Sequence, residues 1–284
     1  MALDKLNFRD QKCLKFYQFL ILLSSDISLN PGPSQYVHNG DKKFEPFHKR
    51  GLHFLHINVN SLLSKIDELR DIANRTKPAI LGITESKLDN SVPNEEVNIN
   101  GYSILRSDRN RNGGGVACYV RADLCFNRKN IISNSIEHVF FDLLIPKMKI
   151  ISIGIFYRPP NVNNFLETLF EDFRKIDLKK NEVYFLGDFN INLLLNDKFV
   201  LKENQSIISR NLSSPLVSKY KELCQTFSLK EIIREPTRIT STTSSLLDHI
   251  LTNAGWKISQ KGVIDVGLSN HQLIYCTQKI LRAK

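Results

Sequence analysis

The chain has 284 residues, of which 42% are apolar, enough for a sizeable core and too many for a disordered protein. Its net charge is +10 with pI ≈ 9.3, and the excess persists after the first fifty residues are set aside, which suits a polyanionic partner such as nucleic acid. Five cysteines without a CxxC pair argue against a disulfide framework or zinc site and favour a reducing compartment, nucleus or cytoplasm; no apolar run approaches the roughly 20 residues of a membrane span.

Residues 1–50 read as a leader. Leu14–Ser25 is a short apolar run, but Asp4, Arg9 and Asp10 precede it and no small-x-small site follows, which speaks against secretion. Asp26–Pro33, "DISLNPGP", is either an ordinary Pro-Gly turn or a ribosome-skipping segment. It resembles the 2A-type peptide, Asp-x-Glu-x-Asn-Pro-Gly-Pro after a leucine-rich helix, with Ser28 in place of Glu. Ser34–Arg50 reads as a polar linker, and residues 51–284 as one domain.

From Gly51 on, strand and helix signals alternate. Leu52–Val59 is a buried strand, and Leu62–Arg75 a helix with Leu62, Ile66, Leu69 and Ile72 on one face. Ala79–Glu85 is a short strand. "YSILRSDRNRNGGGVACYVR" reads as a hairpin turning at Asn112–Gly115. "HVFFDLLI" and "KIISIGIFY" form another strand pair. Asn164–Ile176 carries a helical stripe, Glu182–Phe189 is a strand, and Asp197–Ser213 has little pattern. Pro215–Phe227 is a helix with Pro near its start, and "SLLDHILT" and "HQLIYCTQKI" close the chain as strands. This alternation suggests an α/β sandwich, sheets face to face and helices outside, with other α/β layer folds open.

Several of these strands end in polar residues that a core disfavours: Asn58, Glu85, Tyr157, Asp188 with Asn190, Asp248 with His249, and Asn270 with His271. Each alone fits a strand end making local hydrogen bonds. Gathered at one edge of a sandwich they form an acidic cleft. Carboxylates, amides and a histidine without thiolates suit a hard divalent cation, Mg²⁺ or Mn²⁺.

In order and spacing, "HINVNS", "GITESKL", "IFYRPPN", "LGDFN", "LDHI" and "LSNHQLI" resemble the motifs of the endonuclease/exonuclease/phosphatase superfamily, and most of all the apurinic-like endonuclease domain of LINE-type non-LTR retrotransposons. The resemblance covers roughly Gly51 to Ile280. It implies a DNase I-like, four-layered α/β sandwich of two packed mixed β-sheets flanked by helices. It also implies Mg²⁺-dependent hydrolysis of a DNA phosphodiester; the sequence itself shows no membrane span and no evident obligate protein partner.

By the same resemblance, Glu85 is the main metal ligand with Asn58 as its helper. Asp188 positions or deprotonates the attacking water, and Asn190 orients Asp188 or the phosphate. Tyr157 and His271 donate to phosphate oxygens, and Asp248 holds His271 in its tautomer. Asn270 stands where the family has an Asp associated with the metal, which removes one negative charge. Thr237 is placed near the DNA-binding cleft; Arg158, beside Tyr157 in "YRPPN", reads as a DNA contact or as part of a rigid diproline strand exit. Arg109 and Arg111 sit at the tip of a hairpin expected to lie outside the catalytic centre, as backbone contacts at most. The leading reading is an endonuclease that nicks one DNA strand. A catalytically silent nucleic-acid-binding remnant and a repair-type abasic-site endonuclease are the alternatives.

Overall fold

The structure, a computed structural model, describes residues 42–194 and 214–280. The Leu14–Ser25 run, the Asp26–Pro33 segment and Asp197–Ser213 lie outside them. Two six-stranded mixed sheets stack face to face. The first has the order β13–β14–β1–β2–β4–β3, built from β1 (Leu52–Asn58), β2 (Ile80–Thr84), β3 (Tyr102–Ser107), β4 (Val116–Arg121), β13 (Ile258–Ile264) and β14 (Leu273–Gln278). The second runs β5–β6–β7–β8–β12–β9, from β5 (Cys125–Arg128), β6 (Glu137–Leu144), β7 (Ile151–Tyr157), β8 (Glu182–Asp188), β9 (Lys230–Glu231) and β12 (Asp248–Thr252). A small ribbon, β10 (Arg238–Ile239) with β11 (Ser244–Ser245), forms a third sheet and is bridged through Arg238 to His271, just before β14. Among the described residues, only β1–β2 and β7–β8 pair in parallel.

Period-two alternation sorts side chains into layers. Phe54, Ile80, Ile153, Ile155, Tyr184, Leu186, Ile250 and Ile274 meet between the sheets. Leu55, Ile57, Leu81 and Ile83 face outward onto Leu69 and Ile72 of helix α1 (Ile66–Thr76). On the far side, Phe156, Phe185 and Leu251 pack with α2 (Phe165–Phe173) and α3 (Pro215–Thr226). Phe173 of α2 stacks on Phe185 at 4.4 Å between centroids; burying one such ring stabilises by about 3 kcal/mol. This is the DNase I-like four-layer sandwich.

Local signals set the boundaries. α1 stops at Lys77, whose backbone is left-handed (φ 43) and whose N–H returns to Ala73 O at 2.9 Å; Pro78 follows. α3 starts at Ser214, whose hydroxyl accepts from Val217 N, with Pro215 next. Gly187 lets β7 and β8 close up: a Cβ there would lie 1.9 Å from Phe156 O.

Three elements differ from the sequence reading. Lys42–His48, expected as linker, is a 3₁₀ helix with Phe44 and Phe47 buried, Phe47 packing edge-on against Tyr275. β13 ("ISQKGVI") is a sheet edge with one neighbour, so it needs no continuous apolar face and its polar sequence gives no strand signal. β5 is a short half-exposed edge for the same reason. The four described cysteines are free, and among the described residues no helix is long and apolar enough to cross a membrane.

Candidate active site

The strand-end residues converge because they are in phase with the core. On β1, Phe54, His56 and Asn58 alternate on the inter-sheet face; on β2, Ile80, Gly82 and Thr84; on β7, Ile155 and Tyr157; on β8, Leu186 and Asp188; on β12, Asp248 and Ile250. Registers finish the job. Tyr157 is level with Asp188, and Asp188 with Asp248, across three adjacent strands, while Asn58 is level with Thr84 in the facing sheet.

Asn58 is the hinge of the site. Its Nδ2 donates to Glu85 Oε1 at 3.0 Å and to Asp188 Oδ2 at 2.9 Å, so one buried amide bridges two carboxylates from opposite sheets. Tyr157 OH donates to the same Glu85 oxygen at 3.2 Å. Its phenol pKa is raised by burial, then by the Glu85 and Asp188 charges, which keeps it a donor. Asn58 Oδ1 accepts from Asn60 N at 3.1 Å, and Ser269 Oγ donates to Asn58 O at 2.6 Å while accepting from His271 N at 3.0 Å. The start of the last strand is thereby pinned to the end of the first.

His271 Nδ1 donates to Asp248 Oδ2 at 2.8 Å, so the carboxylate fixes the tautomer. Its Nε2 makes no hydrogen bond to a described residue. Burial alone would lower the His271 pKa, but the Asp248 charge and hydrogen bond outweigh it and raise it. Burial alone would raise Asp248; His271, with help from His56 and Thr237, brings it below the ordinary carboxylate range. Asp188 goes the other way. Burial and then the Asp248 charge push it up to about 7, against the pull of His271 and Asn58. A carboxyl held near neutrality suits proton transfer.

The backbone at three strand ends is left-handed in residues other than glycine: Asn60 (φ 51), Glu85 (φ 50) and Asn190 (φ 49). Each such conformation costs about 1–2 kcal/mol. Cross-loop bonds enforce it, Ser61 N to Glu85 O and Leu62 N to Ser86 O, both 2.9 Å.

The donors fit a hard divalent cation. Glu85 is half-buried, its Oε1 is taken by Asn58 and Tyr157, and its Oε2 accepts nothing among the described hydrogen bonds. Ligand atoms of Asp188, Asp248 and His271 also lie within 4.8 Å of one another. Carboxylate and amide oxygens without thiolate suit a hard divalent cation.

Other expected residues are placed differently. Asn190 touches Asp188 through its backbone, N–H to Oδ1 at 3.0 Å, while its side chain donates to Arg158 O. Arg158, expected at DNA, is 4% exposed, and its guanidinium donates to the carbonyls of Asn190 and Val162; it braces the loop. Thr237 is fully buried, and its Oγ1 accepts from Leu247 N and Asp248 N, so it seats Asp248. The hairpin tip is not remote. Arg109 lies 6.0 Å over the Tyr157 ring and pairs with Glu137, and Gly114 and Gly115 carbonyls accept from Lys87 N and Ser86 N beside Glu85. Arg111 is exposed. Asn270 is exposed as well; its carbonyl accepts from Ile239 N at 2.9 Å. His56 went unread in the sequence, although its phase two residues before Asn58 marks it: it is fully buried, with Nε2 3.1 Å from Thr84 Oγ1 and a pKa lowered to about 4 by burial.

Two packed mixed sheets with this polar edge define a DNase I-like phosphoesterase architecture. The chain belongs to the endonuclease/exonuclease/phosphatase family, whose sequence pattern matches residues 55–271. No curated protein matches it. Among solved structures it is similar to the endonuclease domain of TRAS1, a telomere-specific non-LTR retrotransposon, at 16% identity over 81% of this chain and 100% of that one (TM-score 0.62). The AP endonuclease LMAP from Leishmania major is 16% identical over 89% and 98% (TM-score 0.66). A Neisseria 3′ phosphatase, NExo, described bound to a product DNA hairpin, is 16% identical over 81% and 100% (TM-score 0.61). At such identities the likeness is one of fold.

Proposed function

We propose that this protein is a divalent-cation-dependent DNA endonuclease that hydrolyses one phosphodiester and leaves a 3′ hydroxyl able to prime reverse transcription. The observation that carries the reading is the continuous chain Tyr157–Glu85–Asn58–Asp188 beside the Asp248–His271 pair, assembled at one sandwich edge. The net charge of +10 supports a polyanionic substrate. The TRAS1 and NExo structures, a retrotransposon endonuclease and a DNA complex by their descriptions, support DNA.

Glu85, helped by Asn58, would hold Mg²⁺ or Mn²⁺, which when bound would supply charge neutralisation for the scissile phosphate and the leaving 3′ oxygen. Asp188 takes the proton of the attacking water, held in line by the Asn190 N–H on its other oxygen. His271 presents Nε2–H to a phosphate oxygen as charge develops, and Tyr157 offers its hydroxyl to another. Asp248 keeps the imidazole turned and its Nδ1 protonated. Asn270, lacking a carboxylate, weakens the hold on the cation.

Nicking of supercoiled plasmid by the full chain, with Mg²⁺ and with EDTA, tests this. Glu85→Ala is expected to abolish nicking with the fold intact, and Asn270→Asp to lower the Mg²⁺ needed for half-maximal rate. Wild-type nicking that survives both EDTA and Glu85→Ala refutes the reading. Absence of any nicking, with DNA still retained, favours the silent binding remnant. Faster cleavage of abasic than intact oligonucleotides favours repair specificity.

A further inference from the structure

Among the buried side-chain atoms of the described residues that have no hydrogen-bonding partner, two at this edge face each other. They are Nδ1 of His56 and Oδ1 of Asp248, 3.7 Å apart, on side chains with no exposure. The pair is complementary. Asp248 Oδ2 is occupied by His271 Nδ1, which leaves Oδ1 as the free acceptor. The backbone N–H groups nearby are spent on Thr237 Oγ1. At its other end, His56 meets the Thr84 hydroxyl through Nε2. A neutral imidazole carries one N–H. On Nε2, that proton would leave the Nδ1 lone pair facing a carboxylate oxygen. On Nδ1, it faces Asp248 while Nε2 accepts from Thr84, and nothing repels. A shift of about 0.8 Å then gives an ordinary hydrogen bond, and two buried polar groups left unmet are costly.

We propose that His56 is a positioning residue that donates Nδ1–H to Asp248 Oδ1, so that the carboxylate is clamped between two imidazoles and holds His271 in one orientation. The proposal rests on reading this edge as a phosphodiester-cleaving site. The clamp crosses the sandwich: His56 belongs to β1 of the first sheet, Asp248 to β12 of the second. Through Thr84 it continues to the residue preceding Glu85, so the carboxylate assigned to the cation and the imidazole assigned to the phosphate hang on one chain of contacts.

The test uses the full 284-residue chain with two variants. His56→Leu keeps bulk and loses the donor; His56→Asn keeps an amide donor near the Nδ1 position. In plasmid nicking, His56→Leu is expected to lower kcat about 10–100-fold, the range for losing a supporting partner, with KM unchanged. His56→Asn restores most of it, and His56→Leu costs nothing further on an Asp248→Asn background. Independently of activity, the His271 Nδ1 proton resonance, followed by NMR in metal-free protein, shifts in His56→Leu and returns in His56→Asn. An unchanged His271 resonance in His56→Leu overturns the proposal, as does a rate loss that tracks the folded fraction and is not rescued by His56→Asn. If the wild type does not nick DNA, the proposed function falls, and the resonance alone still decides the role of His56.

Discussion

Asp248 and His249 are adjacent in the chain but face opposite sides of β12, and substituting each should break a different property. His249 points outward into the helical layer, its ring 5.5 Å from Phe189 and 5.1 Å from Tyr220. Its Nδ1 meets Glu231 Oε2 at 3.1 Å and its Nε2 donates to Ile191 O at 3.0 Å. In His249→Ala an aromatic ring leaves a close-packed layer, worth about 3–5 kcal/mol for comparable truncations. Glu231 Oε2 keeps only the Tyr220 hydroxyl, and the unmet groups add a penalty of about 1–3 kcal/mol. These terms overlap, so about 4 kcal/mol is expected, a large share of the 5–15 kcal/mol that holds a typical domain together. Asp248→Asn keeps the shape and leaves His249 untouched. It removes the charge that raises His271 and fixes its tautomer, for which a loss of about 10²–10⁴ in rate is expected by analogy with oriented histidines in other hydrolases. Urea unfolding and plasmid nicking, run on both variants at a temperature where each is folded, separate the two. If His249→Ala loses as much activity per folded molecule as Asp248→Asn, the assignment of the two faces is wrong.

Three further outcomes follow from the charges. Because Asp188 is raised from 3.8 to about 7, the unfolded chain ionises it first, so its contribution to stability declines as pH rises from about 4 to about 7. In EDTA, Asp188→Asn should therefore gain urea stability over wild type at about pH 8 and lose that advantage by about pH 4; an equal difference at both values contradicts the raised pKa. Arg111→Ala should weaken DNA binding uniformly across sequences and reduce the salt dependence by about one phosphate contact. Arg158→Ala should instead lower the unfolding midpoint, since its guanidinium serves two backbone carbonyls; fluorescence anisotropy against salt and thermal unfolding check both.

Much of this site could be read from strand alternation. In "LHFLHIN" the same face carries Phe54, His56 and Asn58, so Asn58 had to point into the sandwich, and His56 was legible by the same count. Attention to strand ends passed over it because it lies inside the apolar run. Arg158 and Thr237 show where sequence proximity misleads. Each sits near functional residues, but side-chain direction there depends on loops: the Pro159–Pro160 exit turns the guanidinium back onto Asn190 and Val162. The hairpin tip was misplaced for a related reason. Its distance from the centre is set by Glu137, 28 residues beyond Arg109 and on the other sheet, a pairing that no local pattern encodes. The Glu231–His249 contact is equally non-local. Edge strands β5 and β13 were silent because one exposed side leaves their composition unconstrained.

The level row of Tyr157, Asp188 and Asp248 makes chemistry a test of alignment. Sliding β8 by one residue against its neighbours would turn Asp188 outward and bring Gly187 or Phe189 into its place, yet bury nearly as much apolar surface. A chain folded one notch out would remain compact and hold no proton acceptor. The 1.9 Å approach that only Gly187 tolerates forbids that notch, because any other residue of β8 brought opposite Phe156 O would collide with it. A residue without a side chain thus acts as the indexing pin that delivers its neighbour's carboxylate to the water.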